Sequence, residues 1–236
     1  MGGFTNLRPD PPLTRHSLET AAVIFDMDGV IVDSEPLHER AFRETLAALG
    51  YGESHGLNFR DYVGRSDDEL WKDFLRVHRP GLGLEELLAL KRCRLLELLR
   101  IHQPLFPGAV RLIRRLHGRV PLALASGSER PVIEAVLDLG QLRPCFAVTV
   151  SASEVPRGKP APDIFLHVAR ALGVKPERCW VIEDSVPGIA AARAAGMRVV
   201  AIANTHPAQA LRDADCVVHD YDCLDSVLRL KPNESP

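Results

Sequence analysis

The sequence predicts an α/β fold, a doubly wound parallel sheet interrupted by an all-helical insert. Three observations carry this. Short apolar runs recur along the chain, starting with Val23-Ile24-Phe25. Segments of helical periodicity alternate with them, the pattern of a parallel sheet covered on both faces. The alternation fails in one stretch only, from Pro36 to about Phe106, where the pattern is helical throughout.

Taken in order, Met1–Thr20 is rich in Pro and Arg, lacks the apolar middle of a secretory signal, and reads as a flexible N-terminal tail over residues 1–20. The first strand, Val23–Phe25, ends abruptly in Asp26-Met27-Asp28-Gly29. The insert, residues 36–106, then shows Leu37, Phe42, Leu46 and Leu49 on one helical face and Leu70, Phe74 and Val77 on another. Leu84–Ile101 is a long Leu-rich helix, and the glycines at 50, 52, 56, 81 and 83 punctuate the insert. Beyond it come strands at Val120–Ala125, Phe146–Val150, Trp180–Ile182, Arg198–Ile202 and Cys216–Val218. Helices at Val110–Leu116, Val132–Leu139, Ile164–Leu172 and Ile189–Ala195 lie between, two of them closing on Gly173 and Gly196. Residues 21–35 and 107–236 thus form the core, and the insert follows its first strand at the carboxyl end of the sheet, where open α/β folds bind ligands.

Composition narrows the function. The 236 residues are 46% hydrophobic and 25% charged, with a formal net charge of −2. That balance supplies no basic field for nucleic acid. No apolar run approaches the roughly 18 residues of a membrane span. Five scattered cysteines without a C-x-x-C pair read as reduced core thiols of a cytoplasmic protein. Nothing marks a large exposed apolar stripe, so the chain reads as a monomer.

Chemistry concentrates at strand ends. Asp26 and Asp28 stand two apart, so their side chains leave on the same side, and paired carboxylates at a buried strand end need a cation or a proton to coexist. Alone, such a pair is most often a solvated acidic turn. Ser126-Gly127-Ser128 follows another strand and precedes a helix, an anion site in form and an ordinary N-cap by default. Lys159 lies in the Pro- and Gly-rich loop Arg157–Asp163, where its ammonium would neutralise a phosphate oxygen as a point charge. Glu183-Asp184-Ser185 closes a further strand with a second acidic pair. Four such elements at four strand ends converge on phosphoryl chemistry with a hard cation, for which Mg²⁺ needs only two or three carboxylates plus waters.

Asp26-Met27-Asp28-Gly29-Val30, Ser126, Lys159 and Glu183-Asp184 resemble, in order, the four motifs of the haloacid dehalogenase superfamily. The segments Val30–His38 and Glu183–Ile189 are similar to its branch of β-phosphoglucomutases and sugar-phosphate phosphatases, which have a Rossmann-like core and a helical cap inserted after the first motif. The resemblance implies a Mg²⁺-dependent phosphatase acting on a small phosphorylated metabolite such as a sugar phosphate. Asp26 would be the nucleophile that becomes an aspartyl-phosphate, and Asp28 the general acid and base. Asp26, Asp184, Glu183 (directly or through water) and a backbone carbonyl, that of Met27 or of Asp28, would hold the metal. Ser126, the Gly127 amide and Lys159 would hold the phosphoryl oxygens. His38 and Arg65 would be substrate-facing residues of the cap.

The resemblance also separates the alternatives. Dehalogenases of the superfamily lack the second aspartate and the metal, which Asp28 and Glu183-Asp184 supply here. The mutases have a lysine just before the glycine matching Gly64 and an arginine three after it; this chain has Val63 and Asp67, leaving Arg65, Lys91 or Arg92 as substitutes. A receiver-like phosphate-binding module would have no helical insert and no acid two residues beyond the nucleophile.

Overall fold

The computed structural model describes residues 19–62 and 67–228. Most of the predicted tail, the cap residue Arg65 and the neighbouring Val63 and Gly64 therefore lie outside the described residues. By contacts the chain divides into two units, Ser34–Pro104 and the remainder.

The larger unit is a parallel six-stranded sheet in the order β3-β2-β1-β4-β5-β6. Its strands are β1 (Ala22–Phe25), β2 (Leu122–Ser126), β3 (Val148–Ser151), β4 (Cys179–Glu183), β5 (Arg198–Ile202) and β6 (Cys216–Val218). Chain order reverses between β1 and β4, the switch point at which doubly wound sheets open a crevice beyond the strand ends. Every side chain of β1 is buried, as is every one of β2 and β4, which flank it. Burial on both faces is why these strands read as continuous apolar runs rather than as alternation. On one face Ala22, Ile24, Ala123 and Ala125 pack with Ile164, Phe165, Val168, Ile189 and Ala192 of two covering helices.

Several strand bounds move from the sequence reading, two of them by two residues. β2 starts two residues later and takes in Ser126, and β3 begins at Val148 rather than Phe146. Pro121 explains the first shift. It has no N–H for the ladder, but its carbonyl accepts from Val23 N at 3.0 Å, so it stands at the strand's threshold. The predicted core thiols also need correction: all five cysteines are free, but only Cys179 is buried and Cys93 is exposed.

The smaller unit is helical, with α1 (Glu35–Ala48), α2 (Asp67–Val77) and α3 (Leu84–His102). Its core joins Phe42, Leu46, Phe59, Leu70, Trp71, Phe74 and Leu87, with Phe42 and Trp71 ring centroids 5.3 Å apart. Val77 departs from the predicted apolar face: as the last residue of α2 it is 75% exposed. The chain leaves the sheet unit after Asp33 and returns at Leu105, where Val32 and Leu105 form an antiparallel bridge. The sheet unit continues with α4 (Pro107–Leu116), α5 (Arg130–Leu139), α6 (Asp163–Leu172), α7 (Val186–Ala194) and α8 (Leu224–Val227). Gly173 and Gly196 follow α6 and α7 with φ of +67° and +76°, as their helix-ending positions require.

Ile24 is fully buried at the centre of the sheet. Truncation to Ala is expected to cost about 2–5 kcal/mol, because the packed strands around it cannot collapse into the cavity. Urea denaturation of Ile24→Ala checks this; a loss below about 1 kcal/mol would mean that β1 is not the centre of the core.

Candidate active site

The site grows from the end of β1. The Asp26 amide donates to Ile182 O of β4 at 2.9 Å, which fixes the backbone of the residue across the switch point. The next carbonyl, that of Met27, accepts from the amides of Val30, Ile31 and Val32 at 3.2, 2.7 and 3.1 Å. The chain thereby coils into one tight turn directly after Asp28. Met27 O thus already takes three amides within this turn. Gly29 is required here twice over. Its φ is +76°, and a Cβ would stand 1.9 Å from Asp184 Oδ2.

Asp26, Glu183 and Asp184 are 6%, 0% and 5% exposed, and their carboxylate oxygens lie within 4.8 Å of one another. Lys159 Nζ donates to Asp26 Oδ1 and to Glu183 Oε1, each at 2.5 Å. The far oxygen of Glu183 accepts from Asp184 N (2.9 Å), Ser185 N (2.9 Å) and Ser185 Oγ (2.8 Å). Ser185 Oγ in turn accepts from Gly188 N at 3.1 Å as the N-cap of α7. One serine therefore starts the helix and fixes the glutamate. Asp184 Oδ2 accepts from Thr205 Oγ1. A hydroxyl has one proton, so His206 Nδ1, 3.0 Å from the same oxygen, must be the donor in that contact.

The charge balance of this cluster is lopsided. Burial, against the pull of Lys159, holds Asp26 well above the ordinary carboxylate value, with Glu183 and Asp184 adding to the rise. Burial and then Glu183 push Asp184 up to about 7 despite the Thr205 hydroxyl and Lys159. Burial would draw the lysine down, but Asp26 and Glu183 override it and hold Lys159 above its usual range. One ammonium does not neutralise this many carboxylates.

Asp28 is met by the β2 edge. Ser126 Oγ donates to Asp28 Oδ2 at 3.2 Å, and Ser128 Oγ donates to the same oxygen at 2.8 Å. Ser126 is the fully buried last residue of β2 and also accepts from Ser128 N at 2.9 Å. Gly127 lies between these two serines, ahead of α5. Ser128 is thus a site residue in its own right. The sequence motif included it only as part of a loop, because nothing in a Ser-Gly-Ser run says which hydroxyl turns inward.

Within the helical unit, His38 does not stand alone. Its Nδ1 lies 2.8 Å from Lys91 Nζ, which also donates to Asp67 Oδ2 at 2.6 Å and sits 4.6 Å over the Phe42 ring. Lys91 is 1% exposed. Burial opposes ionisation of Asp67, but His38 and Lys91 hold its pKa down at about 2. Two residues weighed separately in the sequence, Lys91 and Asp67, are therefore an ion pair inside the helical unit.

Thus the structure joins Asp26, Asp28, Ser126, Lys159, Glu183 and Asp184 at one edge of one sheet, and His38 with Lys91 in the other unit. Fold and site together define a phosphoric monoester hydrolase on a Rossmann-like sheet. The sequence profile of haloacid dehalogenase-like hydrolases matches residues 20–196. The chain is 36% identical to the fructose-1-phosphate phosphatase YqaB of Escherichia coli (strain K12), over 76% of its own length and 95% of that protein's. It is 37% identical to hexitol phosphatase B of the same organism, covering 77% of this chain and 82% of the relative. Among solved structures, CbbY from Rhodobacter sphaeroides in complex with phosphate superposes with a TM-score of 0.76 at 29% identity, over 86% of this chain and 95% of that one. The chain belongs to the haloacid dehalogenase-like hydrolase family.

A Cβ on Gly188 would stand 1.7 Å from Glu183 Oε1. Gly188→Ala is therefore expected to push Glu183 off Lys159 and to lower phosphatase kcat about 100-fold, the scale of a misplaced catalytic group. Circular dichroism should still report a folded chain; activity within about threefold of wild type would show that Glu183 can move without consequence.

Proposed function

We propose that this enzyme hydrolyses a small phosphorylated metabolite, a sugar or polyol phosphate, with Mg²⁺ and through an aspartyl-phosphate on Asp26. The observation that carries the reading is the buried carboxylate surplus around a single lysine at the switch point. The donor set fits a hard cation: Asp26, Asp184 and Glu183 offer carboxylate oxygens close enough to share one, and the Asp28 carbonyl would complete a protein set that waters fill to about six. When bound, the ion would neutralise the acids and offset charge developing on the transferring phosphoryl group.

The chain's own groups supply the rest. Asp26 Oδ1 attacks phosphorus, the ester oxygen leaves, and Lys159 turns from its contacts with the acids toward a phosphoryl oxygen. Ser126 Oγ and the Gly127 amide hold the other oxygens, so phosphate geometry is set before charge develops. Asp28, held at one oxygen by Ser128 once the Ser126 hydroxyl has turned to the phosphoryl group, gives a proton to the leaving oxygen. It then takes one from the water that opens the aspartyl-phosphate. His38 and Arg65 remain the cap residues assigned to substrate selection. Asp67 supports a phosphatase over a mutase, because it stands where a mutase carries a cation and is already paired with Lys91. The relatives' names, a fructose-1-phosphate and a hexitol phosphatase, support a sugar or polyol ester. Five free thiols fit a reducing, cytoplasmic setting, and no helix among the described residues is long and apolar enough to cross a membrane.

Asp26→Asn should abolish hydrolysis of p-nitrophenyl phosphate in the presence of Mg²⁺, while Asp28→Asn should lower kcat/KM for alkyl phosphates by about 100–10,000-fold. Turnover undiminished in Asp26→Asn would sink the covalent mechanism. A panel of sugar, polyol and nucleoside monophosphates ranked by kcat/KM then assigns the substrate.

The raised Asp184 carboxyl gives a pH test. Because its folded pKa, about 7, is above the usual carboxylate value, its contribution to metal-free stability is full at low pH. It is lost as pH climbs through about 7. Cation binding needs the ionised form, so the Tm gain from added MgCl₂ should be larger at about pH 8 than at about pH 5.5. Equal gains at both would remove Asp184 from the metal set.

A further inference from the structure

Two polar side chains far from the four motifs grip the turn that carries Asp28. Asn204, just beyond β5, donates from Nδ2 to Gly29 O at 2.8 Å and to Tyr221 Oη at 2.7 Å. Tyr221, ahead of α8, donates its hydroxyl proton to Val30 O at 2.6 Å. The donors run in one direction: amide to tyrosine oxygen, tyrosine proton to carbonyl. Neither group has to change tautomer or share a proton for all three bonds to form at once. The bonds span 175 and 191 residues of sequence.

The tyrosine ring is as closely placed as its hydroxyl. Tyr221 is 7% exposed, and a Cβ on Gly108 at the start of α4 would stand 2.5 Å from its ring. Burial drives the phenol pKa upward, so the hydroxyl stays protonated and available to donate throughout the neutral range. Inside the turn, Met27 O already takes three amides. The carbonyls of Gly29 and Val30 point out of that coil, and these are the two that Asn204 and Tyr221 hold.

We propose that Asn204 and Tyr221 are positioning residues for the phosphatase reaction: by clamping the carbonyls of Gly29 and Val30 they set where the Asp28 carboxyl stands relative to the ester oxygen. The inference rests on the proposed role of Asp28 as acid and base, and it adds two residues that touch neither phosphate nor metal. The turn can coil without them, since its internal bonds are its own. What they remove is the freedom of its middle, because the turn is otherwise fixed to the rest of the sheet unit by backbone bonds only at Asp26, whose amide bonds β4, and at Ile31, whose carbonyl takes Phe106 N at 2.9 Å. A turn loose in its middle leaves the nucleophile close to place and displaces the acid beside that middle.

That asymmetry supplies the test. Leaving groups differ in their need for a proton: p-nitrophenolate departs without one, whereas an alkoxide does not. Tyr221→Phe keeps the ring against Gly108 and deletes the hydroxyl alone; Asn204→Ala deletes the other half of the clamp. In both variants kcat/KM for the best alkyl phosphate of the metabolite panel should fall about 10–100-fold, and that for p-nitrophenyl phosphate by less than about threefold. The double variant should be no worse than the more damaged single one, since the two residues form one chain of bonds. Hydrogen exchange should quicken about tenfold or more in the peptide covering Asp26–Asp33 and stay unchanged elsewhere.

Equal losses on both substrates would overturn the proposal, because a general weakening of the fold spares neither. Unchanged exchange at Asp26–Asp33 in both variants would overturn it too, whatever the activities. A wild-type enzyme inert toward every phosphomonoester would instead remove the phosphatase reading, and the exchange rates would then decide the clamp by themselves.

Discussion

Everything at this sheet edge depends on burying more carboxylates than one lysine can neutralise. Asp26, Glu183 and Asp184 are held within 4.8 Å of one another, with Lys159 as their cationic partner. Buried like charges at such distances raise one another's proton affinity until a proton or a cation relieves them. The cluster is therefore poised: it gains most from whatever brings positive charge without bulk. Much of the local architecture serves to keep the acids where their repulsion would disperse them. Ser185 and two amides fix Glu183, Thr205 holds Asp184, and the β4 backbone holds Asp26.

The same pressure explains where side chains are forbidden. Gly29 and Gly188 come from different elements, yet the space beside each is filled by an acid oxygen of the cluster. Neither glycine answers to turn chemistry alone. Each is the price of bringing a second backbone segment against a carboxylate.

The fold was legible because both faces of β1, β2 and β4 are buried, which leaves an unbroken apolar signature that alternation would have blurred. Asp26, Ser126 and Glu183-Asp184 were legible because each stands where an apolar run stops, and Lys159 because it sits in a Pro- and Gly-rich loop. Ser128, Thr205, Asn204 and Tyr221 were not. Their carboxylate and carbonyl partners in the site lie between 21 and 191 residues away, and a Thr or Asn in a loop has no local pattern that names a distant one. The three amides on Met27 O were not legible for a related reason: which backbone oxygen a tight turn consumes depends on its hydrogen bonds, and these leave no trace in residue type. Val77 was misplaced because periodicity extends a helical face through its last residue, where the covering layer has already ended.

The Val32–Leu105 bridge closes a long excursion of the chain, and that has a consequence for how the protein is made. Among the described strands β1 is the first to leave the ribosome, yet its two neighbours begin at Leu122 and Cys179. The helical segment Ser34–Pro104 is synthesised in full before either arrives. During that interval the future centre of the sheet is an apolar strand with both edges unpaired, the kind of segment that invites association between nascent chains. Its short length, four residues, and the acidic Asp26 and Asp28 directly after it limit that exposure. The acids proposed to carry the chemistry thus also act as gatekeepers during biogenesis.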